Sequence, residues 1–367
     1  MNIIFRTRTT GRLTQPLQPF RKILHGYDSP TCASFLQTNI LLSAILLTSI
    51  FSTSCENPSS KQIYSTEGMA LGTFYEVMYS GNEADSSFPE IISHLLEEYE
   101  QTYSIFDSSS YLSALNRNET DSLSPDMEKI ICKALQISEW SDGLFDITAE
   151  PLIRLWGFEK EPSDIRPETI DSVKQWVGYR KIRIENHRLV KEDPRIQLNL
   201  NAIVKGFIVD QVAAHVREQH PDFLVNIGGE IVCEGCKPNG KPWSIGIRTP
   251  DTDPLKNEIC HRFSLQQGEA IATSGDYHRY QTDSAGNRFC HIINPISGQA
   301  EKTNLFSVTV IAPDCMTADA LATAFMIMGE ERSFVIAEKH PEISACFVQY
   351  KENTLHTFHT PAFPIKK

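Results

Sequence analysis

Strand-like and helix-like segments alternate from residue 61 to the end of the chain, and this alternation constrains the fold more than any single motif. Apolar residues recur at helical spacing in segments 87–103, 126–140, 203–219 and 332–339. Shorter segments with strand character lie at 71–79, between 181 and 200, and at 223–227, 243–248, 262–266 and 305–311. Neither a repeat nor a linker divides residues 66–367, so the pattern predicts one mixed α/β domain of the α+β type.

The N-terminal segment 1–54 has the layout of an export signal. Basic residues precede an apolar run at 40–51, which is short for a bilayer span, and small residues then lead to Cys55. This order is typical of a bacterial lipoprotein signal with a lipidated Cys55 and a polar tether over 55–65, although Ser52 stands where such signals usually carry Leu. The alternatives are an uncleaved anchor or a misassigned start. The layout predicts an exported protein, anchored to the membrane and facing the periplasm.

The charge of the chain excludes one class of partner. The formal net charge is −12, and residues 1–54 hold five basic side chains against one acidic, which leaves about −16 for the rest. Nucleic-acid binding needs clustered Lys and Arg to neutralise phosphates. An acidic body without a basic stripe therefore predicts no nucleic-acid partner.

The nine cysteines do not form a regular framework. Cys233 and Cys236 are the only close pair, and in an exported protein they could form a disulfide or a redox site. No second pair supports a zinc ribbon. We favour a turn with an optional disulfide.

Asp319 and Thr323 place two oxygen donors on an otherwise apolar helical stretch. They are four residues apart, so on an α-helix both side chains lie on one face and can converge on a cation that prefers oxygen, such as Mg²⁺. The alternative is structural: Asp319 would lie in a first turn capped by Thr317, and Thr323 would bond back to its own helix. Taken alone, the pattern favours the structural interpretation.

Two further segments carry groups suited to chemistry. Residues 198–206 are predicted to end a strand and open a helix, where free N–H groups and Lys205 would favour an anion such as phosphate. An ordinary Asn-capped helix with a solvated Lys205 is the alternative. His291 enters an Asn-Pro turn and could serve as a general base, or it could simply be hydrogen-bonded.

Taken together and in order, these segments resemble the ApbE family of flavin transferases, also called FAD:protein FMN transferases, over residues 66–350. The matching motifs are Leu71-Gly72-Thr73, Gly143-Leu144-Phe145-Asp146, Leu155-Trp156-Gly157-Phe158, Val177-Gly178-Tyr179, Asn201 to Gly206, Ile227 to Glu230, Ala272 to Tyr277, His291 to Gly298 and the run around Asp319. Because so many matches occur in order, the resemblance is highly specific.

The resemblance implies a substrate, a cofactor and a site. FAD would lie in a cleft between two α/β lobes, Mg²⁺ would bridge its phosphates, and a Ser or Thr hydroxyl of an acceptor protein would displace AMP and become esterified to FMN. The implied FAD contacts are Leu71, Phe106, Leu144, Phe145, Asp146, Asn199, Lys205 and Ile292. The implied metal ligands are Asp319, Thr323 and the carbonyl of Ala202, and the candidate base is His291. Acceptors of this kind would be membrane redox subunits.

This sequence departs from the family pattern at three of the implied contacts. Leu71 stands where Met is usual, Phe106 where Tyr is common, and Asn199 where Asp is frequent. Losing the Tyr hydroxyl would remove one hydrogen bond, worth on the order of 1 kcal/mol. Two alternative functions remain compatible with the same residues: a metal-dependent FAD pyrophosphatase that yields FMN and AMP, and a non-catalytic flavin-binding lipoprotein. The intact pair of Asp319 and Thr323 disfavours the second.

Overall fold

The fold is taken from a computed structural model. The described residues are 61–157, 165–248, 259–275, 280–282, 288–290, 292–300, 305–351 and 354–365. They belong to one compact unit that runs from Lys61 to the end of the chain. Cys55, His291 and the segments 1–60 and 276–279 lie outside the described residues.

Fourteen strands are formed by the described residues. They are β1 (Gln62–Ala70), β2 (Thr73–Gly81), β3 (Ile182–Glu185), β4 (Arg188–Lys191), β5 (Phe223–Ile227), β6 (Glu230–Glu234), β7 (Ile245–Arg248), β8 (Ile259–Phe263), β9 (Ala270–Gly275), β10 (Tyr280–Thr282), β11 (Arg288–Cys290), β12 (Leu305–Ala312), β13 (Ser344–Lys351) and β14 (Thr354–His359). Eight of them form the central sheet in the order β1-β2-β5-β6-β9-β12-β13-β14. All pairs in this sheet are antiparallel.

Seven α-helices accompany these strands in the described part of the chain. They are α1 (Phe88–Tyr103), α2 (Tyr111–Asn116), α3 (Pro125–Trp140), α4 (Glu150–Trp156), α5 (Pro167–Lys174), α6 (Val204–Arg217) and α7 (Cys315–Lys339). Helix α7 packs against β9, β12 and α6, and its first three turns are buried on almost every side. A helix without a polar face is the kind found inside a core.

Among the described residues, two hydrophobic cores of unequal size position the site. The large one joins α1, α3, α6 and α7 to the sheet. The small one consists of Leu152, Leu155, Trp156, Ile170, Val177, Ile293 and Ala300. Trp156 Nε1 donates to the carbonyl of Gly298 at 2.9 Å, so a turn distant in sequence closes the small core. The prediction of a mixed α/β fold is therefore confirmed.

Three predicted boundaries are wrong in detail. Residues 62–65 already pair with β2, so the polar tether ends before residue 65. The short strands expected between 181 and 200 form at Ile182–Glu185 and Arg188–Lys191 but do not reach 198–200, where the side chain of Asn116 binds both backbone groups of Leu198 at 2.7 and 2.9 Å. The strand expected at 262–266 is shifted to Ile259–Phe263.

The C-terminal helix predicted at 332–339 is the second part of α7. Gly329 interrupts the helical geometry with φ 75° and ψ 177°, a conformation that glycine adopts without strain. Cys233 is buried in β6 and Cys236 is exposed, and both are free thiols, so the optional disulfide is not formed. In the part of the chain that the structure describes, no helix is long and apolar enough to cross a membrane.

Candidate active site

The candidate metal pair lies in the buried first half of α7. Asp314 caps this helix, since its side chain accepts a hydrogen bond from Thr317 N at 2.7 Å. Thr317 is therefore not the cap that the structural interpretation requires, and Asp319 lies in the second turn. Asp319 is 4% exposed, while Thr323 is half-buried one turn later on the same face.

Only one of the two carboxylate oxygens of Asp319 accepts a hydrogen bond from the described residues. Its Oδ2 accepts a hydrogen bond from Gly206 N at 2.9 Å, and no group of the described chain donates to Oδ1. Burial raises the pKa of Asp319 to about 7; Glu230 acts in the same direction and Lys205 opposes both. A cation bound to the second oxygen would lower that pKa again and stabilise the buried charge.

Gly206 brings α6 into backbone contact with α7. A Cβ atom at this position would overlap the carbonyl of Cys315 and would lie 2.8 Å from Cβ of Asp319. Only glycine permits this approach, and the approach is what allows Gly206 N to reach the carboxylate. The two helices are thus fixed against each other at the candidate metal ligand.

Lys205 and Glu230 form an ion pair beside Asp319. Lys205 Nζ lies 2.9 Å from Glu230 Oε2, and the side chains are 30% and 2% exposed. Burial disfavours the charged ammonium, but the carboxylates of Glu230 and Asp319 outweigh this effect and raise the pKa of Lys205. Lys205 is therefore a permanent cation whose position is set by Glu230.

Glu230 reaches Lys205 because a two-glycine turn joins β5 to β6. Gly228 N donates to the carbonyl of Phe74 at 2.9 Å, and Gly229 N donates to Asn226 Oδ1 at 3.0 Å. The turn therefore links the start of β2 to the site. Glu230 belongs to a recognised motif, but sequence reasoning gave it no role, since nothing local to it predicts a partner 25 residues earlier.

Ser274 extends the oxygen cluster at Thr323. The hydroxyl groups of Ser274, on β9, and Thr323 are 3.0 Å apart. Ser274 belongs to the family-like motif Ala272 to Tyr277, and the strand β9 that carries it is buried over its first three residues. A Mg²⁺ ion at Asp319 and Thr323 would thus have hydroxyl oxygens on its β9 side.

The turn before α6 is organised by Asn199. Its Nδ2 donates to Glu150 Oε2 at 2.8 Å, and its Oδ1 accepts from Asn201 N at 2.9 Å. Glu150 is 3% exposed and also accepts from Arg154 at 3.0 Å. Both polar ends of Asn199 are therefore used to shape the turn that presents Ala202. Sequence reasoning missed Glu150, whose only local signal is its helical spacing to Arg154.

Of the predicted flavin contacts at 144–146, two are buried in the protein and Asp146 is half-buried. Leu144 and Phe145 belong to the large core and are 6% and 3% exposed. The Asp146 carboxylate accepts from Thr148 N at 2.8 Å and from Tyr179 N at 2.7 Å. The Asp146 carboxylate therefore holds the backbone at Thr148 and Tyr179 in place.

The remaining predicted contacts differ in their surroundings. Leu71 is half-buried in the β1–β2 turn with φ 54°, and its N–H donates to Glu100 Oε2 at 3.3 Å. Ile292 is 7% exposed and packs in the large core. Phe106 is 68% exposed, so its ring is accessible to a ligand but does not line a closed pocket. The structure brings Asp319, Lys205 and Ala202 into one region, whereas no described contact joins Phe106 to it.

The donor set fits Mg²⁺ that arrives with a phosphate ligand. Among the described residues, no group of three or more His, Cys, Asp or Glu side chains could hold a metal on its own. Mg²⁺ is commonly bound by one or two carboxylates together with substrate phosphates and water, and is rarely held by a cage of protein ligands alone. One carboxylate, neighbouring hydroxyls and a nearby Lys therefore suit a metal and pyrophosphate bound together.

Comparison with known proteins agrees with this geometry. The model of the ApbE family matches residues 71–347. An FAD:protein FMN transferase of Vibrio cholerae is 35% identical over 295 residues, 77% of this chain and 86% of the relative. The structure of the flavin transferase ApbE from Vibrio cholerae matches with a TM-score of 0.73 at 31% identity, covering 83% of this chain and 100% of that one. The apo flavinyl transferase ApbE of Pseudomonas stutzeri gives 0.73 and 31%, with 83% and 96% covered. This chain belongs to the ApbE family.

Proposed function

We propose that this chain transfers FMN from FAD to a Ser or Thr hydroxyl of an acceptor protein and releases AMP. Relatives named for this activity support the proposal, one of them matching 77% of the chain. The observation that carries it is the buried set of Asp319, Lys205 and Glu230, held where α6, α7 and the β5–β6 turn meet. The Lys205 ammonium, held by Glu230, lies near the Asp319 carboxylate, which has one oxygen available; this arrangement suits a pyrophosphate with a bound metal ion.

Each side chain has a distinct task in this proposal. Asp319 would hold Mg²⁺ through its free oxygen, together with the Thr323 hydroxyl and the Ala202 carbonyl. When bound, the ion would neutralise charge on the pyrophosphate oxygens. Lys205 would bind a phosphate oxygen in an orientation set by Glu230.

The transfer itself exchanges one phosphorus–oxygen bond for another. The acceptor's hydroxyl oxygen bonds to the FMN phosphorus, the bond from that phosphorus to the AMP oxygen breaks, and the hydroxyl proton passes to a base. His291 is the candidate base, on the strength of its place in the sequence.

The proposal extends to the place where the enzyme works. The lipoprotein-type segment before Cys55 supports an exported protein that is anchored to the membrane and faces the periplasm, with membrane redox subunits as acceptors. Mass spectrometry of the membrane fraction should find lipid on Cys55, and Cys55→Ser should release the protein into the soluble fraction. An unlipidated Cys55 in membrane-bound protein would contradict this part of the proposal.

One experiment separates transfer from hydrolysis and from simple binding. The full chain is incubated with FAD, Mg²⁺ and a Thr-containing acceptor domain; the mass of the acceptor and the AMP released are then measured. We expect the acceptor to gain the mass of FMN. AMP with an unmodified acceptor would indicate a pyrophosphatase instead, and the absence of both products would indicate a flavin-binding protein.

Asp319→Ala tests the metal assignment in the same assay. We expect it to abolish both AMP release and acceptor modification. The matched control is Asp142→Ala, which removes a carboxylate that is 82% exposed and paired only with Arg332 at 3.0 Å. Full activity of the Asp319 variant would show that the metal is held elsewhere.

A further inference from the structure

A carboxylate outside the site holds the beginning of α7. Asp210, on α6, accepts a hydrogen bond from Cys315 N through Oδ1 and another from Met316 N through Oδ2, both at 2.9 Å. Both of its oxygens are therefore used by the backbone of the neighbouring helix. Burial raises the pKa of Asp210 to about 6, while the two N–H donors lower it.

The contacts between α6 and α7 are reciprocal. Asp210 of α6 accepts from the backbone of α7, and Asp319 of α7 accepts from the backbone of α6 at Gly206. Asp210 lies four residues after Gly206 on α6, and Asp319 lies four residues after Cys315 and three after Met316 on α7, which is about one helical turn in each case. Each helix thus fixes the axial position of the other at two successive turns.

Little freedom is left for α7 to slide. A side chain at Gly206 would overlap the Cys315 carbonyl, so the backbones already touch between the two contacts. The other N–H groups of the first turn are also engaged, since Thr317 N and Ala318 N bond to Asp314. The start of α7 is consequently occupied by protein carboxylates and offers no free N–H group to a phosphate.

We propose that Asp210 is a positioning residue for the candidate metal site. By fixing the first turn of α7 against α6, it sets where Asp319 and Thr323 stand relative to Lys205. The inference rests on the proposed function, because it assigns Asp210 a role only if the pair binds Mg²⁺. A purely structural cap would lower stability and leave metal binding by the folded protein unchanged.

Asp210→Asn tests this role while keeping the size of the side chain. Its amide oxygen can accept one N–H group, but its amide nitrogen faces the other as a second donor. We expect the variant to bind Mn²⁺ in the presence of FAD about tenfold more weakly or worse, the loss seen when groups that orient metal ligands are removed. Free Mn²⁺ is measured by electron paramagnetic resonance on the full chain.

Asp314→Ala is the matched control. It removes a carboxylate from the same helix end, and this carboxylate makes no hydrogen bond to α6. We expect it to lower the melting temperature while its Mn²⁺ affinity stays within about twofold of the parent protein. Equal losses of affinity in both variants, or parent-like affinity in Asp210→Asn, would overturn the proposal.

Two further arms keep the test decisive. If Asp210→Asn does not fold, Asp210→Glu replaces it; this variant keeps the charge but displaces the oxygens by one methylene, and we again expect weakened Mn²⁺ binding. The parent protein separates the two hypotheses. If it binds no Mn²⁺ with FAD and modifies no acceptor, the proposed function fails; if it does both and only the Asp210 effect is absent, positioning alone fails.

Discussion

Asn199→Asp is the perturbation that most directly tests the polar network behind the site. Asn199 Nδ2 lies 2.8 Å from Glu150 Oε2, and the two residues are 7% and 3% exposed. The substitution replaces this donor by a second carboxylate oxygen and creates a buried pair of like charges. By the family resemblance, Asp is also the residue that is frequent at this position. The result therefore shows whether the hydrogen bond to Glu150 is the reason that Asn199 is more stable than Asp in this protein.

The cost can be worked out from the geometry. Two carboxylates with charge centres about 4 Å apart repel by about 4 kcal/mol at an effective dielectric constant of 20. Protonating one of them avoids the repulsion, at about 1.4 kcal/mol for each pH unit above an ordinary carboxyl pKa of about 4. Arg154, which is 3.0 Å from the other oxygen of Glu150, offsets part of either cost. We therefore expect a loss of about 3 kcal/mol in the free energy of unfolding at pH 7.

Urea denaturation measures this loss in four proteins: the parent, Asn199→Asp, Glu150→Gln and the double variant Glu150→Gln/Asn199→Asp. The double variant pairs a carboxylate with an amide again and should recover more than half of it. In Asn199→Asp the folded protein holds its extra proton more tightly than the unfolded chain does. The loss should therefore be small near pH 4 and should grow as the pH rises towards 7. Parent-like stability of Asn199→Asp at pH 7, or no recovery in the double variant, would refute the reasoning.

Three other predictions concern single side chains. Gly206→Ala should destabilise the fold by about 3 kcal/mol and weaken metal binding, because its methyl group overlaps Cys315; an unchanged urea midpoint would contradict the close approach. Lys205→Met leaves Glu230 buried and unpaired and should cost about 3 kcal/mol, most of which Glu230→Gln should restore; no recovery would show that the pair is not coupled. Burial lowers the pKa of His220, whose ring stacks on that of Tyr79 with the two ring centroids 3.7 Å apart. The unfolded chain therefore binds a proton on His220 more readily than the folded protein does. The free energy of unfolding should decrease as the pH is lowered below about 6.5, and the decrease should be smaller in His220→Gln. Equal pH profiles of the two proteins in thermal melts would contradict this.

Regular elements could be predicted where one periodic signal dominates. The helices expected at 87–103 and 126–140 form at Phe88–Tyr103 and Pro125–Trp140, because their apolar residues recur at helical spacing and Ser124 caps the second. The short strands expected between 181 and 200 form, but they end at Lys191 and do not reach residue 200, for a nonlocal reason. The backbone partner of Leu198 is the side chain of Asn116, which lies 82 residues earlier.

The same distinction applies to the candidate site. The spacing of Asp319 and Thr323 is visible in ten residues of sequence, the segment 198–206 indicates Lys205 as a phosphate ligand, and family resemblance supplied Asn199. The contacts that orient them span 49 residues for Glu150 and Asn199 and 105 for Asp210 and Cys315, so no local pattern could reveal them. Resemblance indicates the candidate ligand-binding groups, whereas the packing of α6 on α7 shows what holds them in place.

The reciprocal hydrogen bonds between α6 and α7 have a consequence for the order in which the chain folds. Gly206 and Asp319 are separated by 113 residues, and Ser274 and Thr323 by 49. A growing chain that has not yet reached residue 319 lacks two of its three candidate metal ligands, and one that has not reached residue 323 still lacks the third, however well its earlier segments are folded. Since no partial domain can gather these groups, the capacity to hold metal and flavin together should arise only in the last cooperative step, when residues 315–323 dock on α6 and complete the core.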